Sequence, residues 1–342
     1  MTDLPGLDLD RLTDYLATAT PGLVTGPLSA QVVAGGRSNL TYYLTDGTTK
    51  WVLRRPPLGH VLRTAHDMSR EFRILSALAG TSVPVPRTVH LCQDPEPLGA
   101  PFYLMAEVPG VVVRTRAQCE ELGAEATTAV VHRLVDVLAE LHTVDPASVG
   151  LADFGRPEGY LTRQVARWRK QLDASRSREV EGIDDLHAQL AASVPVSRRG
   201  GLLHGDYRLD NALVDPDKRD IAAVLDWEMS TLGDPLADVG LLVVYTSGRR
   251  GDDVITGDVT SAPGFPPTDE LIERYARRTG FDVSGLDWYV ALNCFKLAVV
   301  LEGIHYRFSH GQTVGEGFDV IGQRVPGLVR EGLAALAGEG NR

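Results

Sequence analysis

The segment from His204 to Asn211, followed by Asp226, carries side chains that are able to do chemistry together. Asn211 lies five residues after Asp206, and Asp226 lies 15 residues after Asn211. An amide oxygen and a carboxylate are hard-oxygen ligands that suit Mg²⁺, which takes few protein ligands and completes its shell with phosphate and water. Asp206 is not required as a ligand, and its natural role is to accept or orient the proton of an attacking hydroxyl.

Two apolar runs predict the element that positions the pair of metal ligands. Residues 212–214 and 221–225 are apolar and flank a turn-rich stretch at 215–220. This pattern predicts an antiparallel hairpin. A turn centred in that stretch would put Asn211 and Asp226 opposite each other, so that both oxygens converge at the same end of the hairpin.

The first third of the chain predicts further strands. Residues 40–45 and 48–53 are β-prone runs on either side of an Asp-Gly pair, which is typical of a hairpin turn. Residues 101–106 predict another strand.

A helix is predicted from about Asp67 to Ala79, because apolar residues recur there on one broad stripe at helical spacing. Glu71 lies inside that stripe, between Leu75 and Leu78. A carboxylate buried among apolar side chains needs a partner. The pattern therefore predicts a partner for Glu71 elsewhere in the fold.

After Gly110 the pattern changes from strands to helices, which are predicted at residues 127–143, 161–172, 269–278 and 286–306. A β-rich first third and a helical remainder, joined by a short linker, indicate an α+β fold of two lobes with a cleft between them. We expect an N-terminal lobe at 1–106, a linker or hinge at 107–110, and a C-terminal lobe at 111–342.

The bulk composition excludes several classes of protein. The net charge is −11, which argues against a nucleic-acid binder, because such proteins usually present a basic surface. No apolar stretch approaches the roughly 20 residues of a membrane span, and the N-terminus lacks the apolar core of a signal peptide. Cys92, Cys119 and Cys294 are too scattered for a disulfide framework or a Cys-rich zinc site. We expect a cytoplasmic monomer or homodimer without nucleic-acid or membrane partners.

The order Asp, four residues, Asn, then a later Asp matches the protein-kinase pattern H-R-D-x-x-x-x-N followed by D-F-G. Gly205 replaces the arginine of that pattern, and Trp227-Glu228 replaces Phe-Gly. The sequence resembles the aminoglycoside phosphotransferase and choline kinase superfamily, and more closely the kinase-like domains related to those fused to acyl-CoA dehydrogenases. The stretches that carry the closer resemblance are residues 52–57, 69–72, 83–86, 223–228 and 231–235.

This resemblance implies a protein-kinase-like fold with a small β-rich N-lobe and a larger helical C-lobe. It also implies an ATP- and Mg²⁺-dependent kinase that phosphorylates a hydroxyl of a small molecule. Asp206 resembles the catalytic base, and Asn211 and Asp226 resemble the metal ligands. Arg208 lies where many protein kinases carry a lysine that faces the γ-phosphate, although a salt bridge with a nearby aspartate, Asp210 or Asp234, is an equal alternative.

The resemblance assigns the rest of the nucleotide site to the N-lobe. Glu71 resembles the helix glutamate that pairs with a phosphate-binding cation on the third strand. Arg54 occupies that strand position, where the family at large has lysine, and Arg55 or Lys50 are alternative cations. The residues that resemble the phosphate-covering turn are Gly35, Gly36, Ser38 and Asn39, and those of the adenine-binding hinge are Met105, Glu107 and Val108.

Three further residues are expected to support the catalytic loop. In this fold a residue such as His204 usually braces the loop and has no catalytic role. Asp234 and Asp238 are expected either to tether the loop through backbone N–H groups or to cap helices.

The acceptor is the least defined part of the prediction. A basic segment is either a solvated helix or a grip for a phosphate-bearing acceptor such as a hydroxyacyl-CoA, and it comprises Arg163, Arg167, Arg169, Lys170, Arg176 and Arg178. The related dehydrogenase-fused domains are similar here, including Trp168, and phosphorylate hydroxyacyl-CoAs. The competing hypothesis is an aminoglycoside kinase that holds ammonium groups with carboxylates, for which the candidates are Glu228, Asp252, Asp253, Asp287 and Glu302.

A third hypothesis is a nucleotide-binding pseudokinase or regulatory partner, which is suggested by arginine at position 54. The intact set of Asp206, Asn211 and Asp226 argues against it, because a binding module does not need a base.

Overall fold

The computed structural model of the chain describes residues 4–33, 39–58, 67–247, 257–311 and 320–338. The chain forms two compact units. The first comprises Met1–Val111, Ala212–Asp215 and Ile221–Ser230, and the second comprises Val112–Asn211, Pro216–Asp220 and Thr231–Arg342. The predicted lobe boundaries stay a prediction.

The first unit is built on a five-stranded antiparallel sheet. Its strands are β1 (Ser29–Val32), β2 (Leu40–Thr45), β3 (Lys50–Arg55), β4 (Thr88–Cys92) and β5 (Phe102–Ala106), in the order β1-β2-β3-β5-β4. The predicted β2–β3 hairpin is confirmed. Its turn is closed by Asp46, whose carboxylate accepts hydrogen bonds from the backbone N–H groups of Thr48 at 3.0 Å and Thr49 at 2.7 Å.

Two helices accompany this sheet, α1 (Leu9–Ala19) and α2 (Met68–Leu78). The predicted helix from Asp67 to Ala79 is confirmed as α2. Asp67 caps its N-terminus by accepting a hydrogen bond from the backbone N–H of Arg70 at 3.0 Å, which satisfies one of the free donors of the first turn. Glu71 is buried on the inner face of α2, as its place in the apolar stripe predicted.

The second unit is helical. Its helices are α3 (Arg116–Leu122), α4 (Ala124–Thr143), α5 (Tyr160–Ser175), α6 (Ile183–Ala192), α7 (Leu236–Thr246), α8 (Thr268–Thr279), α9 (Leu286–Ser309) and α10 (Val325–Leu336). The four predicted helices correspond to α4, α5, α8 and α9. The α+β class predicted from the sequence is confirmed.

The chain between α6 and α7 forms short strands and single helical turns. The strands are β6 (Gly201–Leu203), β7 (Ala212–Asp215), β8 (Asp220–Val224) and β9 (Thr231–Gly233). β6 pairs with β9, and β7 pairs with β8 as predicted. The 3₁₀ turns of the described chain are Leu209–Asn211, Trp227–Met229, Val259–Ser261 and Ile321–Arg324.

Helix α9 is the central element of the second unit. It packs against α5, α6, α7 and α10, and most of its residues are buried, as expected for a helix surrounded by others. Gly240 lets α7 approach α9 closely, because a Cβ there would lie 2.7 Å from the carbonyl carbon of Tyr289. None of the helices in the described ranges is both long enough and apolar enough to cross a membrane.

Candidate active site

The loop between β6 and β7 is tethered to helix α7 through its backbone. The carboxylate of Asp238 accepts hydrogen bonds from the N–H groups of His204 at 2.7 Å and Gly205 at 3.0 Å. This is the tether that the sequence predicted for Asp238. Asp234 accepts from the backbone N–H of Leu236 at the start of α7, at 3.0 Å, but the N-cap position of this helix is Pro235. The capping role of Asp234 stays a prediction.

A buried histidine, His142, contacts the Asp238 carboxylate that tethers the loop. Nε2 of His142 lies 3.3 Å from Oδ2 of Asp238, and Nδ1 of His142 lies 2.7 Å from the hydroxyl of Tyr275. Burial by itself would raise the pKa of the Asp238 carboxyl, but the hydrogen bond and charge of His142 hold that pKa below its usual value. Asp238 is therefore favoured as the charged acceptor that the loop needs.

Both carboxylate oxygens of Asp206 have hydrogen-bond donors. The hydroxyl of Tyr245 donates to Oδ1 at 2.9 Å. Nδ2 of Asn211 donates to Oδ2 at 3.0 Å and to the backbone carbonyl of Asp206 at 2.9 Å. The sequence therefore named two residues, Asp206 and Asn211, that the structure brings into contact. It missed Tyr245, although this tyrosine lies seven residues after Asp238 on the same face of α7.

His204 is fully buried (0% exposed) and braces the loop. Its Nδ1 accepts a hydrogen bond from the backbone N–H of Asp206 at 3.2 Å. The geometry matches the bracing role that was predicted for it.

Arg208 pairs with a carboxylate of its own loop. Its guanidinium forms a salt bridge with Asp210 and lies 4.8 Å from the ring centroid of Tyr245. Of the two aspartates predicted as possible partners, Asp210 and Asp234, it is Asp210 that pairs with Arg208. The role of Arg208 towards a γ-phosphate stays a prediction.

Lys296 is a second residue that the sequence analysis missed. It lies on α9 and donates from Nζ to the carbonyl of Gly205 at 2.6 Å. Its side chain is buried, and burial lowers the pKa of its ammonium group. The sequence did contain an indication of its role, because a lysine lies inside the apolar stretch of α9. Glu71 was identified in the same way, as a charged residue among apolar ones.

In the first unit, Glu71 has the partner that its position predicted. Nε of Arg54, on β3, lies 3.0 Å from Oε2 of Glu71, which is 2% exposed. Oε2 also accepts from the hydroxyl of Tyr103 at 3.0 Å, and Oε1 accepts from Nδ2 of Asn39 at 3.1 Å. Burial raises the pKa of the Glu71 carboxyl, and the charge of Arg54 opposes that rise.

Arg54 also contacts Asp226. Its NH2 group donates to Oδ1 of Asp226 at 2.9 Å. Asp226 has a φ of 63°, a left-handed conformation that is strained for a residue with a Cβ and occurs often at functional sites. Glu228 accepts a hydrogen bond from Nδ2 of Asn39 at 3.0 Å.

The two alternative cations of β3 are occupied elsewhere. Arg55 is buried and donates to backbone carbonyls, those of Gly6 and Leu98. Lys50 lies 3.6 Å from the carboxylate of Glu107. Arg54 is therefore the cation of β3 that faces Glu71.

Part of the predicted nucleotide site is outside the described residues, namely Gly35, Gly36 and Ser38. Asn39 is described and binds Glu71, as given above. Met105 lies on β5 opposite Val52 of β3. Glu107 follows β5 and donates its backbone N–H to the carbonyl of Lys50 at 3.3 Å, and Val108 continues this irregular stretch. The adenine-binding role stays a prediction.

Half of the predicted basic segment is paired with carboxylates. Arg169 and Arg176 both contact Asp184 at 2.7 Å, and Arg178 contacts Glu302 at 2.9 Å. Glu302 is fully buried (0% exposed) in this pair, so it is not available for an ammonium group of a substrate.

The other half of the segment has no carboxylate partner within the described ranges. Arg163 donates to the backbone carbonyls of Glu158 and Arg156. Arg167 lies 5.2 Å from the ring centroid of Trp168, and Lys170 is exposed.

The proposed metal ligand of each unit, Asn211 in the second and Asp226 in the first, has surroundings that suit Mg²⁺. Because the amide nitrogen of Asn211 is engaged by Asp206, its amide oxygen is the atom left for a metal. Around Arg54, a single guanidinium faces two carboxylates, those of Glu71 and Asp226, and the local excess of negative charge favours a cation. The described residues contain no cluster of three or more His, Cys, Asp or Glu residues arranged for a metal. Asn211 and Asp226 belong to different units, so their convergence stays a prediction.

The chain matches a known protein family. A model described as a phosphotransferase enzyme family covers residues 29–289, which is more than half of the chain.

The curated relatives are longer proteins. Acyl-CoA dehydrogenase family member 10 of Mus musculus is 35% identical over 308 residues, which are 89% of this chain and 29% of the relative. Acyl-CoA dehydrogenase family member 11 of Gallus gallus is 34% identical over 336 residues, which are 95% of this chain and 43% of the relative. The chain thus spans less than half the length of these relatives.

Solved structures share the fold. A crystal structure from Ralstonia eutropha JMP134, described as a candidate aminoglycoside phosphotransferase, is 32% identical with a TM-score of 0.84, covering 97% of this chain and 98% of that one. The phosphotransferase APH(4)-Ia, in a ternary complex with AMP-PNP and hygromycin B, is 16% identical with a TM-score of 0.62, covering 97% and 99%. At 16% identity the likeness concerns the fold alone. The predicted kinase-like fold is confirmed.

Proposed function

This chain belongs to the phosphotransferase enzyme family, and from that premise we propose that it moves the γ-phosphate of ATP to a hydroxyl of a small molecule. The observation that carries the proposal is the pair of hydrogen bonds that hold the Asp206 carboxylate, one from Tyr245 and one from Asn211. A base must lie in a fixed direction to orient the acceptor hydroxyl. A carboxylate held from both oxygens on a tethered loop meets that requirement.

In the proposed reaction, the acceptor oxygen bonds to the γ-phosphorus as the bond from that phosphorus to the β-phosphate oxygen breaks. ADP leaves, and the hydroxyl proton passes to Asp206. Asn211 and Asp226 are the proposed ligands of Mg²⁺, which supplies charge neutralisation on the phosphates when it is bound. Because most of the catalysis is positioning and electrostatic stabilisation, the residues that hold Asp206 in place matter as much as Asp206 itself.

Arg54 is the proposed phosphate-binding cation. Its pair with Glu71 fixes the guanidinium on β3. A guanidinium carries a permanent charge and can bind phosphate oxygens through two N–H groups at once. This makes arginine a suitable substitute for the lysine that is usual at this position.

For the acceptor, we propose a hydroxyacyl-CoA. The curated relatives that share 34–35% identity across most of this chain are named for acyl-CoA, and coenzyme A carries phosphate groups that basic side chains can bind. Arg163, Arg167 and Lys170 are the basic residues of α5 without a carboxylate partner in the described part of the chain. They are the proposed contacts for those phosphates.

An acceptor screen tests the proposal. The wild-type protein is incubated with Mg-ATP and, in separate reactions, with hydroxyacyl-CoAs, aminoglycosides and small amino alcohols, and the phosphorylated products are identified by mass spectrometry. We expect a phosphate ester with a hydroxyacyl-CoA. Turnover with aminoglycosides alone would exclude the acyl-CoA class and support the function described for the Ralstonia relative. Binding of ATP without transfer to any hydroxyl, including water, would support a pseudokinase.

A further inference from the structure

The backbone on both sides of Gly205 is held by side chains from two helices. Its N–H donates to Asp238 of α7 at 3.0 Å, and its carbonyl accepts from Nζ of Lys296 of α9 at 2.6 Å. The peptide group that contains this carbonyl also contains the N–H of Asp206, which donates to Nδ1 of His204 at 3.2 Å. The peptide that leads into Asp206 is therefore fixed at both of its polar atoms.

The conformation that these contacts hold is an uncommon one. Gly205 has a φ of 84°, which glycine adopts freely and which leaves the backbone free to rotate unless something restrains it. The direction in which the Asp206 side chain leaves the loop depends on this dihedral angle. A contact that restrains the Gly205 carbonyl therefore also restrains the direction of the Asp206 carboxylate, because the two residues are adjacent in the chain.

Lys296 is an unfavourable choice for stability alone. Its side chain is 8% exposed and lies on an otherwise apolar part of α9. The hydrogen-bond acceptor of its ammonium group is a neutral carbonyl, and the ring centroid of Trp168 is 5.8 Å away. Burial lowers the pKa of Lys296 and outweighs the charges of Asp206 and Asp238, which favour the ammonium form. A buried cation without a directly bonded carboxylate is costly. A long apolar side chain would fill the same space without that penalty.

We propose that Lys296 is a positioning residue for phosphate transfer, which holds the carbonyl of Gly205 so that Asp206 faces the acceptor hydroxyl. This inference rests on the proposed function. Lys296 acts through the loop and does not bind the nucleotide or the acceptor. Its role is therefore visible in kcat and not in the KM for ATP.

The test compares Lys296→Met, which keeps the length of the side chain and removes the donor, with Lys218→Met at an exposed position of the turn between β7 and β8. We expect Lys296→Met to lower kcat roughly 10- to 100-fold, because small displacements near the reacting atoms have effects of about that size. The KM for ATP should stay within about twofold, and Tm should be unchanged or higher. Lys218→Met should leave kcat unchanged, and Lys296→Arg should recover part of the lost rate.

Amide hydrogen exchange gives a second measurement that does not depend on activity. In Lys296→Met, the peptide that covers residues 204–209 should exchange roughly tenfold faster than in the wild type, while the rest of α9 is unchanged. If the wild type transfers phosphate but Lys296→Met keeps both its kcat and its exchange rates, the inference is wrong. If the wild type transfers no phosphate, the proposed function fails, and exchange alone decides whether Lys296 fixes the loop.

A folding defect is also informative. If Lys296→Met does not fold, Lys296→Gln, which keeps a neutral donor, replaces it in both measurements. If neither variant folds, Lys296 is a structural residue and the inference is overturned.

Discussion

At the scale of single residues, each of the two units contains a carboxylate that is surrounded by hydrogen-bond donors. Asp206 has Tyr245 and Asn211 as donors. Glu71 has Tyr103 and Asn39 as donors and lies beside Arg54. In both cases the surroundings leave the carboxylate little freedom to rotate, which is the pre-organisation that phosphoryl transfer requires.

The Tyr245 hydroxyl can be removed with little change in shape. Tyr245→Phe takes away one of the two donors to Asp206 and leaves the ring beside Arg208. We expect kcat to fall about tenfold, which corresponds to about 1.4 kcal/mol and to the loss of one hydrogen bond to a charged group. Steady-state kinetics measure this effect. Tyr289→Phe, which removes a donor from Asp234, is the matched control and should leave kcat within about twofold. Equal losses in both variants would contradict the role of Tyr245.

Two substitutions of Arg54 distinguish its role in stability from its proposed role in ATP binding. Arg54→Met leaves Glu71 buried without its cation, and we expect about 3–5 kcal/mol of destabilisation from chemical denaturation. Arg54→Lys restores the charge but not the planar fork that contacts both Glu71 and Asp226. It should fold and bind ATP with a several-fold higher KM. If Arg54→Met is as stable as the wild type, the ion pair between Arg54 and Glu71 does not stabilise the fold.

At the scale of elements, α7 and α9 determine the position of the loop. Helix α7 supplies Asp238 and Tyr245, and α9 supplies Lys296. The two helices can hold one loop because they pack closely at Gly240.

Gly240→Ala tests this close packing. The added Cβ would lie 2.7 Å from the carbonyl carbon of Tyr289, so the helices must separate. We expect about 1–3 kcal/mol of destabilisation together with a lower kcat, because the partners of Asp206 and Gly205 would move apart. The control is Gly327→Ala in α10, where a Cβ meets no atom within 4 Å; it should be neutral or slightly stabilising. A Gly240→Ala protein with unchanged stability would contradict the packing argument.

Much of the local structure could be predicted from the sequence, because it depends on short-range patterns. The β2–β3 and β7–β8 hairpins, helix α2 and four helices of the second unit (α4, α5, α8 and α9) follow from apolar spacing and turn residues. The ion pair of Glu71 with Arg54 followed from a carboxylate on an apolar stripe and from family resemblance. The partners of the loop between β6 and β7 could not be predicted in this way. Tyr245 and Lys296 lie 39 and 91 residues from the atoms they contact, and spacing along the chain does not determine such contacts.

At the scale of the whole molecule, the charge balance predicts that binding of the proposed nucleotide depends on a cation. The chain has a net charge of −11, and ATP is itself strongly anionic, so the two repel unless Mg²⁺ or basic residues compensate. The chain also corresponds to less than half of each curated relative described above. Its proposed chemistry is therefore that of the phosphotransferase part alone.

Thermal unfolding tests the requirement for the cation. Mg-ATP at about 100 times its Kd should stabilise the protein by about 2.7 kcal/mol and raise Tm. Chelation of the metal with EDTA should remove most of that shift, and Asp226→Asn should reduce it. A shift that is the same with and without Mg²⁺ would argue against Asn211 and Asp226 as metal ligands.

The central claim is that Asp206 is the base of a phosphotransferase. The most direct test measures both ATP binding and phosphate transfer for Asp206→Asn, with the exposed Asp185→Asn as the control. Asp206→Asn should bind Mg-ATP with a Kd close to that of the wild type and lose transfer by at least about 100-fold, whereas Asp185→Asn should keep both. Transfer by Asp206→Asn at the wild-type rate would contradict the account.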